Sequence, residues 1–227
     1  YSVGMHQAYA QKWPEIWEHF SFQPPLFWRQ DPMELLKEIE EPAIACFSSY
    51  LWNWQYNIAL AKAIRMVFPK CLIIFGGTQV PNASAGFFEE HPYVDLLVHQ
   101  EGELVFTEIL REFLSPKPDY TKVLGLSVQI EDRQTFKTPP SPRIKDLSQL
   151  VSPYLSGVFD SMLGRGFVLN ASQETNRGCP YACTFCDWGG AVLAKVNKFG
   201  MSDCDIKILK LDFYRIVFQK ILMQKMW

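Results

Sequence analysis

A chain of 227 residues with 22 basic and 24 acidic side chains has a formal net charge of −2, which gives no electrostatic case for a nucleic-acid partner. Hydrophobic residues make up 48% and charged residues 20%, the balance of a globular protein, and no run is long and apolar enough to span a bilayer. Six cysteines without a secretory signal argue against a disulfide scaffold, and a thiolate-held cluster with an open iron, for which three of them are spaced, needs a reducing compartment, so the expected setting is the cytoplasm.

The length allows one or two domains, and seven tryptophans with seventeen phenylalanines can furnish a large core. Tyr1 rather than methionine opens the chain inside what reads as a folded element, which predicts residues upstream of it. From residue 41 to about 114 short apolar runs alternate with helical stretches. Residues 43–47 and 71–75 read as buried strands, the second ending at Gly76-Gly77, and residues 95–98 as a third. Helices are expected over 54–67 and 103–113. Cys46 and Cys71 lie within the apolar runs, where a free cysteine behaves as a small buried hydrophobe, so both are expected in the core. Wholly apolar strands separated by helices predict an α/β fold, a Rossmann-like doubly wound parallel sheet covered on both faces. Such sheets bind ligands beyond the carboxyl ends of their strands. The informative loops are then 48–53, 76–81 and 99–103.

Residues 123–130 and 135–137 form a candidate hairpin, and the proline-rich stretch from Thr138 to Pro142 marks a linker. Residues 144–163 lead to a further strand at 166–170. The expected organisation is a Rossmann-like domain over 1–137, a linker over 138–163 and the start of a second domain over 164–227. The last stretch, 205–227, is basic and apolar without a glutamate. It reads either as an amphipathic helix, or strand and helix, or as the tail of a truncated or frame-shifted product.

The run Cys179-Pro-Tyr-Ala-Cys183-Thr-Phe-Cys186 carries the most chemistry. Its C-x3-C-x2-C spacing puts three thiolates on one short loop, close enough to hold a single inorganic cluster. A [4Fe–4S] cluster held by three cysteines keeps one iron open for an exogenous ligand. Gly178 lets the loop turn tightly and Pro180 stiffens it. Zinc is the main competitor, but a structural zinc site takes four ligands, and the next cysteine, Cys204, lies well downstream without a paired neighbour.

The wider stretch from Glu174 to Gly189, Glu-Thr-Asn-Arg-Gly-Cys-Pro-Tyr-Ala-Cys-Thr-Phe-Cys-Asp-Trp-Gly, resembles the first strand and cluster loop of the radical S-adenosylmethionine (SAM) enzymes. The resemblance implies a [4Fe–4S] cluster on Cys179, Cys183 and Cys186, with the amino and carboxylate groups of SAM on the open iron. It also implies Phe185 beside the SAM adenine, although Phe185 and Trp188 equally suit a shell that keeps water off a cluster. In that family the strand at 166–170 opens a partial (β/α) barrel. Only 41 residues (227 minus 186) follow Cys186, against about 30 for each βα unit, so the barrel is expected to be truncated.

Upstream, Ser49-Tyr50-Leu51 followed by Gly76-Gly77 resembles the S-x-L and G-G elements of cobalamin-binding domains. Gln100-Glu101-Gly102-Glu103 resembles the G-E-G-E turn of cobalamin-domain radical SAM proteins, with Gln100 in place of the first glycine, and Trp52-Asn53-Trp54 is typical of the same group. A Gly-Gly pair after a strand also reads simply as a turn. These elements imply Ser48, Ser49, Leu51, Gly76, Gly77, Glu101 and Gly102 as cobalamin contacts. The D-x-H-x-x-G pattern that supplies a histidine to cobalt is missing, and His6 and His99 lack its context, as lone surface or capping histidines would. The resemblance thus implies a radical SAM enzyme using a [4Fe–4S] cluster and SAM, with cobalamin as a further candidate cofactor for methyl transfer. Its partners would be a reductant such as flavodoxin or ferredoxin and a substrate that the residues do not name. No general acid or base is assigned. Two other classes stay open: a non-catalytic cobalamin-binding module with a vestigial cluster loop, and a zinc-stabilised interaction protein.

Overall fold

The computed structural model describes residues 1–26, 29–130, 134–163 and 177. The expected cluster cysteines Cys179, Cys183 and Cys186, Phe185, the strand at 166–170, the barrel start and the 205–227 tail lie outside the described residues. The chain divides into two compact units. One is Leu26–Pro142. The described residues of the other are 1–25 and 143–163, together with Arg177, so the first 25 residues fall outside the unit that carries the sheet.

In this second unit α1 spans Ser2–Gln11 and α2 spans Pro14–His19, with Pro14 in the first turn, where its missing N–H costs nothing. Ala8 packs on Val158 and Phe159. A Cβ on Gly4 would lie 2.2 Å from Phe159 Cζ, so the close approach of that ring needs a glycine in α1. Lys12 Nζ sits 3.7 Å from the Tyr9 ring centroid and donates to the Gln149 carbonyl at 3.1 Å.

The Leu26–Pro142 unit begins with a short α3, Pro32–Leu35, capped by Asp31 Oδ1, which accepts from Met33 N at 2.9 Å and Glu34 N at 3.2 Å. There follow β1 (Ile44–Ser48), α4 (Trp54–Val67), β2 (Leu72–Gly76), α5 (Phe87–Glu90), β3 (Leu96–Val98), α6 (Gly102–Phe113), β4 (Leu126–Gln129) and β5 (Thr135–Lys137). The five strands lie side by side in sequence order. β1, β2 and β3 are parallel, while β4 and β5 are antiparallel to their neighbours.

Strand alternation sorts the apolar side chains onto two faces. Phe47, Ile73, Phe75 and Leu97 meet Ile58, Ala61 and Ile64 of α4 and Phe87 and Phe88 of α5. Phe75 is fully buried, its ring stacked 4.8 Å from Phe47 and met edge-on by Trp54 at 5.7 Å. Burying one such ring stabilises the fold by roughly 1.5–3 kcal/mol. On the opposite face Ile74, Leu96, Val98, Leu126 and Val128 meet Val105 and Ile109 of α6. The result is a Rossmann-like α/β unit with helices on both faces of one sheet.

Two expectations are corrected. The sheet is mixed, not doubly wound and wholly parallel, and its order runs without the reversal that makes a switch point. The reason lies after α6: residues 114–125 return the chain to the carboxyl end of β3, where His99 N donates to Gly125 O at 2.9 Å, so β4 must run antiparallel. β5 then folds back as the expected hairpin partner, with Val128 opposite Phe136. Cys71 is buried as expected, but Cys46 is exposed. It shares the α6 face with Ile44 on the outermost strand, while the buried residues that α6 packs come from β2, β3 and β4.

Candidate cofactor site at the strand carboxyl ends

Because β1, β2 and β3 are parallel, their carboxyl ends deliver three loops to one edge of the sheet. Ser48 stands opposite Gly76 in register, and past that pair the two loops are joined by backbone. Ser49 N donates to Gly76 O at 2.7 Å, and Gln79 N donates to Ser49 O at 3.1 Å. Gly77 has φ of +100°, and a Cβ on it would lie 2.5 Å from Ser49 O and 2.8 Å from Ser49 N. Only glycine satisfies both the dihedral and the approach. Gly77 is therefore required by the join itself.

Two asparagines complete the wiring. Asn57, from the first turns of α4, donates its side-chain amide to Ser49 Oγ at 3.0 Å. Asn53 donates to Ser48 O at 2.8 Å, and its Oδ1 accepts from Tyr50 N at 2.7 Å. Ser49 is fully buried, with its N–H, carbonyl and hydroxyl oxygen all engaged by the protein. Leu51 and Trp52 turn outward instead, 80% and 69% exposed. The Trp52 ring stacks on Tyr50 with centroids 4.7 Å apart and planes within 3°, and the Arg29 guanidinium donates to the Trp52 carbonyl.

The third loop begins with His99. It is buried, and its Nε2 lies 2.8 Å from Ser127 Oγ, which in turn accepts from Ser84 Oγ at 2.7 Å. Burial pushes the imidazole down to about 4, helped by the positive charge of Lys137, so it is neutral near pH 7. With the ring proton on Nδ1, a neutral Nε2 would accept the Ser127 O–H. This histidine is a buried network member, not the surface or capping residue expected. Gln100 follows with φ of +65°, a left-handed conformation that explains a glycine at this place in the G-E-G-E turn. Glu101 precedes α6, and Gly102 is buried in its first turn.

Of the candidate cobalamin contacts, the structure brings Ser48, Ser49, Gly76 and Gly77 together as one joined floor. Leu51 lies on the same loop as Ser49, and Glu101 and Gly102 end the loop after β3. Sequence reasoning missed Asn53, Asn57 and the Ser84–Ser127–His99 chain. Ser127 had a readable signal, a lone hydroxyl between Leu126 and Val128 in an apolar strand. Among the described residues no three His, Cys, Asp or Glu side chains are grouped to hold a metal ion.

No protein-family model matches the chain. It is 40% identical over 201 residues to the cobalamin-dependent radical SAM methyltransferase TokK of Streptomyces tokunonensis, which covers 87% of this chain and 29% of that protein. It is 38% identical over 201 residues, with the same coverage, to the 2-(S-pantetheinyl)-carbapenam-3-carboxylate methyltransferase of Streptantibioticus cattleyicolor. The chain is a homologue of the cobalamin-binding radical SAM family. It spans 29% of the length of these two curated relatives. Among solved structures, the cobalamin-dependent SAM radical enzyme OxsB with aqua-cobalamin and SAM bound matches with a TM-score of 0.53 at 22% identity. That match covers 67% of this chain and 21% of OxsB, and it speaks for the fold alone. Among the described residues no helix is long and apolar enough to cross a membrane.

Proposed function

We propose that the Leu26–Pro142 unit binds cobalamin at the carboxyl ends of β1, β2 and β3, as part of a radical SAM methyltransferase. The observation that carries this reading is the Ser49–Gly76–Gly77 join, a floor of backbone and small residues with Leu51 and Trp52 exposed beside it. The donor set fits a cobalamin that takes no histidine from the protein. The Nε2 of His99 is already engaged with Ser127, and the D-x-H-x-x-G pattern does not occur. Ser48, Gly76, Leu51 and the Gln100–Gly102 turn would hold the cofactor, and Leu51 and Trp52 would keep water from one side of it. Ser49, Asn53 and Asn57 would keep the floor in place.

Cys179, Cys183 and Cys186 are proposed to hold the [4Fe–4S] cluster, with Phe185 beside the SAM adenine. With these groups bound, the cluster would supply the electron that cleaves SAM reductively and cobalamin would carry the methyl group. The chain's own part is to bind and orient them and to exclude water. A reductant of the flavodoxin or ferredoxin type would feed the cluster. The substrate belongs to the rest of the enzyme.

Two measurements test this. The purified chain, incubated with hydroxocobalamin and gel-filtered, should retain the corrinoid with an absorption spectrum of the form lacking a nitrogen ligand from the protein. Loss of all corrinoid on the column would overturn the cobalamin reading. Anaerobic iron–sulfide reconstitution should give a reduced [4Fe–4S] signal in electron paramagnetic resonance that changes when SAM is added. A cluster signal indifferent to SAM would leave a cobalamin-binding module without turnover, and a colourless zinc protein would remove the cluster altogether.

A further inference from the structure

β4 carries two faces of different character. Leu126 and Val128 point into the α6 core, whereas Ser127, fully buried, points to the other face. There the residues between Gly77 and Gly86 reach it, and Ser84 O–H donates to Ser127 Oγ at 2.7 Å. Two more bonds from the neighbouring strand fall on the same stretch. Lys137 Nζ, whose residue stands opposite Ser127 in register, donates to Asn82 O at 2.6 Å, and Thr135 Oγ1 donates to Ser84 O at 3.4 Å. The stretch is thereby held at both ends. Gly76 and Gln79 are bonded to Ser49 after β1, and Asn82 and Ser84 are bonded to the β4–β5 hairpin.

The proton count along the chain is closed. In the Nδ1–H tautomer of His99, Ser84 gives its proton to Ser127 and Ser127 gives its own to His99 Nε2. No hydroxyl in it is left over, so removing Ser127 orphans two buried groups at once.

We propose that Ser127 is a positioning residue. Through Ser84 and His99, and with Lys137 beside it, it locks the 77–86 segment in the shape that receives cobalamin. This rests on the cobalamin reading above. The hairpin then has a task in the fold: its β5 side chains Thr135 and Lys137 hold the 82–84 stretch that follows β2.

The test uses the full chain with hydroxocobalamin as the probe, in wild type, Ser127→Ala and Lys137→Met. Amide hydrogen exchange is read over 77–86 and over α4, and hydroxocobalamin Kd by titration. Ser127→Ala should speed exchange at 82–86 by about tenfold or more, leave α4 little changed, and raise Kd by a similar factor, since a lost buried bond is worth about that. Lys137→Met, at an exposed side chain, should give a smaller change of the same kind, and it carries the test if Ser127→Ala fails to fold. Unchanged exchange over 77–86 in the folded variants would overturn the lock. Faster exchange with an unchanged Kd would overturn the positioning role and leave the cobalamin reading standing. Wild-type protein that binds no hydroxocobalamin would overturn both, which the first titration alone reveals.

Discussion

The buried imidazole of His99 makes the stability of the Leu26–Pro142 unit sensitive to mild acid. Its folded-state pKa is about 4 against 6.5 for a free imidazole, because burial disfavours the cation and Lys137 adds like charge. The unfolded chain therefore takes up a proton first as pH falls. Stability is full above about pH 6.5 and is lost down to about pH 4, below which both states are protonated. At about 1.4 kcal/mol per pH unit the whole loss is ~3 kcal/mol, of which about 2 kcal/mol has gone by pH 5. In the Nδ1–H tautomer, protonation would also turn Nε2 from an acceptor into a donor and leave Ser127 with no acceptor there for its proton. Urea unfolding at pH 7, 6 and 5, followed by tryptophan fluorescence, measures this directly. His99→Gln offers an acceptor near the Nε2 position but cannot titrate. Its stability should lie below wild type at pH 7, and the gap should close by about 2 kcal/mol on going to pH 5. Parallel curves for the two proteins across that window would refute the reasoning.

Three further outcomes follow from backbone and ion-pair geometry. Gly77→Ala should cost roughly 2–4 kcal/mol in urea unfolding, because the new methyl meets the Ser49 backbone at φ of +100°. A loss under 1 kcal/mol would show that the β1–β2 join gives way easily. Gln100→Gly should stabilise by about 1 kcal/mol by relieving a left-handed side-chain residue, and a lowered urea midpoint would contradict that. Arg65 donates to Pro69 O at 2.7 Å, Tyr93 O at 3.2 Å and Asp95 Oδ2 at 2.5 Å, and Asp95 Oδ2 also accepts from Ile73 N. The pair is partly exposed, so its charge attraction is discounted, and Arg65→Met should cost about 2 kcal/mol, mostly for the carbonyls it abandons. Thermal unfolding of that variant unchanged from wild type would mean that water replaces the guanidinium without loss.

Much of the fold was legible because it is written in local pattern. The apolar spacing of residues 54–67 gives α4 with the same bounds, Trp54–Val67, and the first two strands are displaced by only one residue, to Ile44–Ser48 and Leu72–Gly76. Strand direction is another matter. Leu126–Gln129 reads the same whether it runs parallel or antiparallel to β3, and the choice is made by where residues 114–125 return the chain. Exposure of Cys46 was hidden for a similar reason, since an apolar run does not say which strand will be outermost. At the site, Gly76-Gly77 and the Gln100–Glu103 turn were visible as motifs, and the φ values of +100° at Gly77 and +65° at Gln100 supply their physical cause. The Ser84–Ser127–His99 chain joins residues 43 and 28 positions apart, a separation over which no periodicity carries information.

The residues picked out by motif at the strand ends divide into two kinds once their bonds are known. Ser49 and Gly77 are consumed by the protein: one has its backbone and hydroxyl oxygen engaged, and the other exists to let the two loops touch. Leu51, Trp52 and Gln100 are exposed and face outward from the same edge. A motif such as S-x-L therefore mixes a scaffold residue with a surface residue at a spacing of two, because the strand alternation ends at Ser49 and the turn over 50–53, closed by Asn53, carries Leu51 and Trp52 outward. Such a spacing provides both the floor and what stands on it, and a bound cofactor would meet the outward-facing kind together with Ser48, Gly76 and the Gln100–Gly102 turn, not the side chains that the protein has consumed.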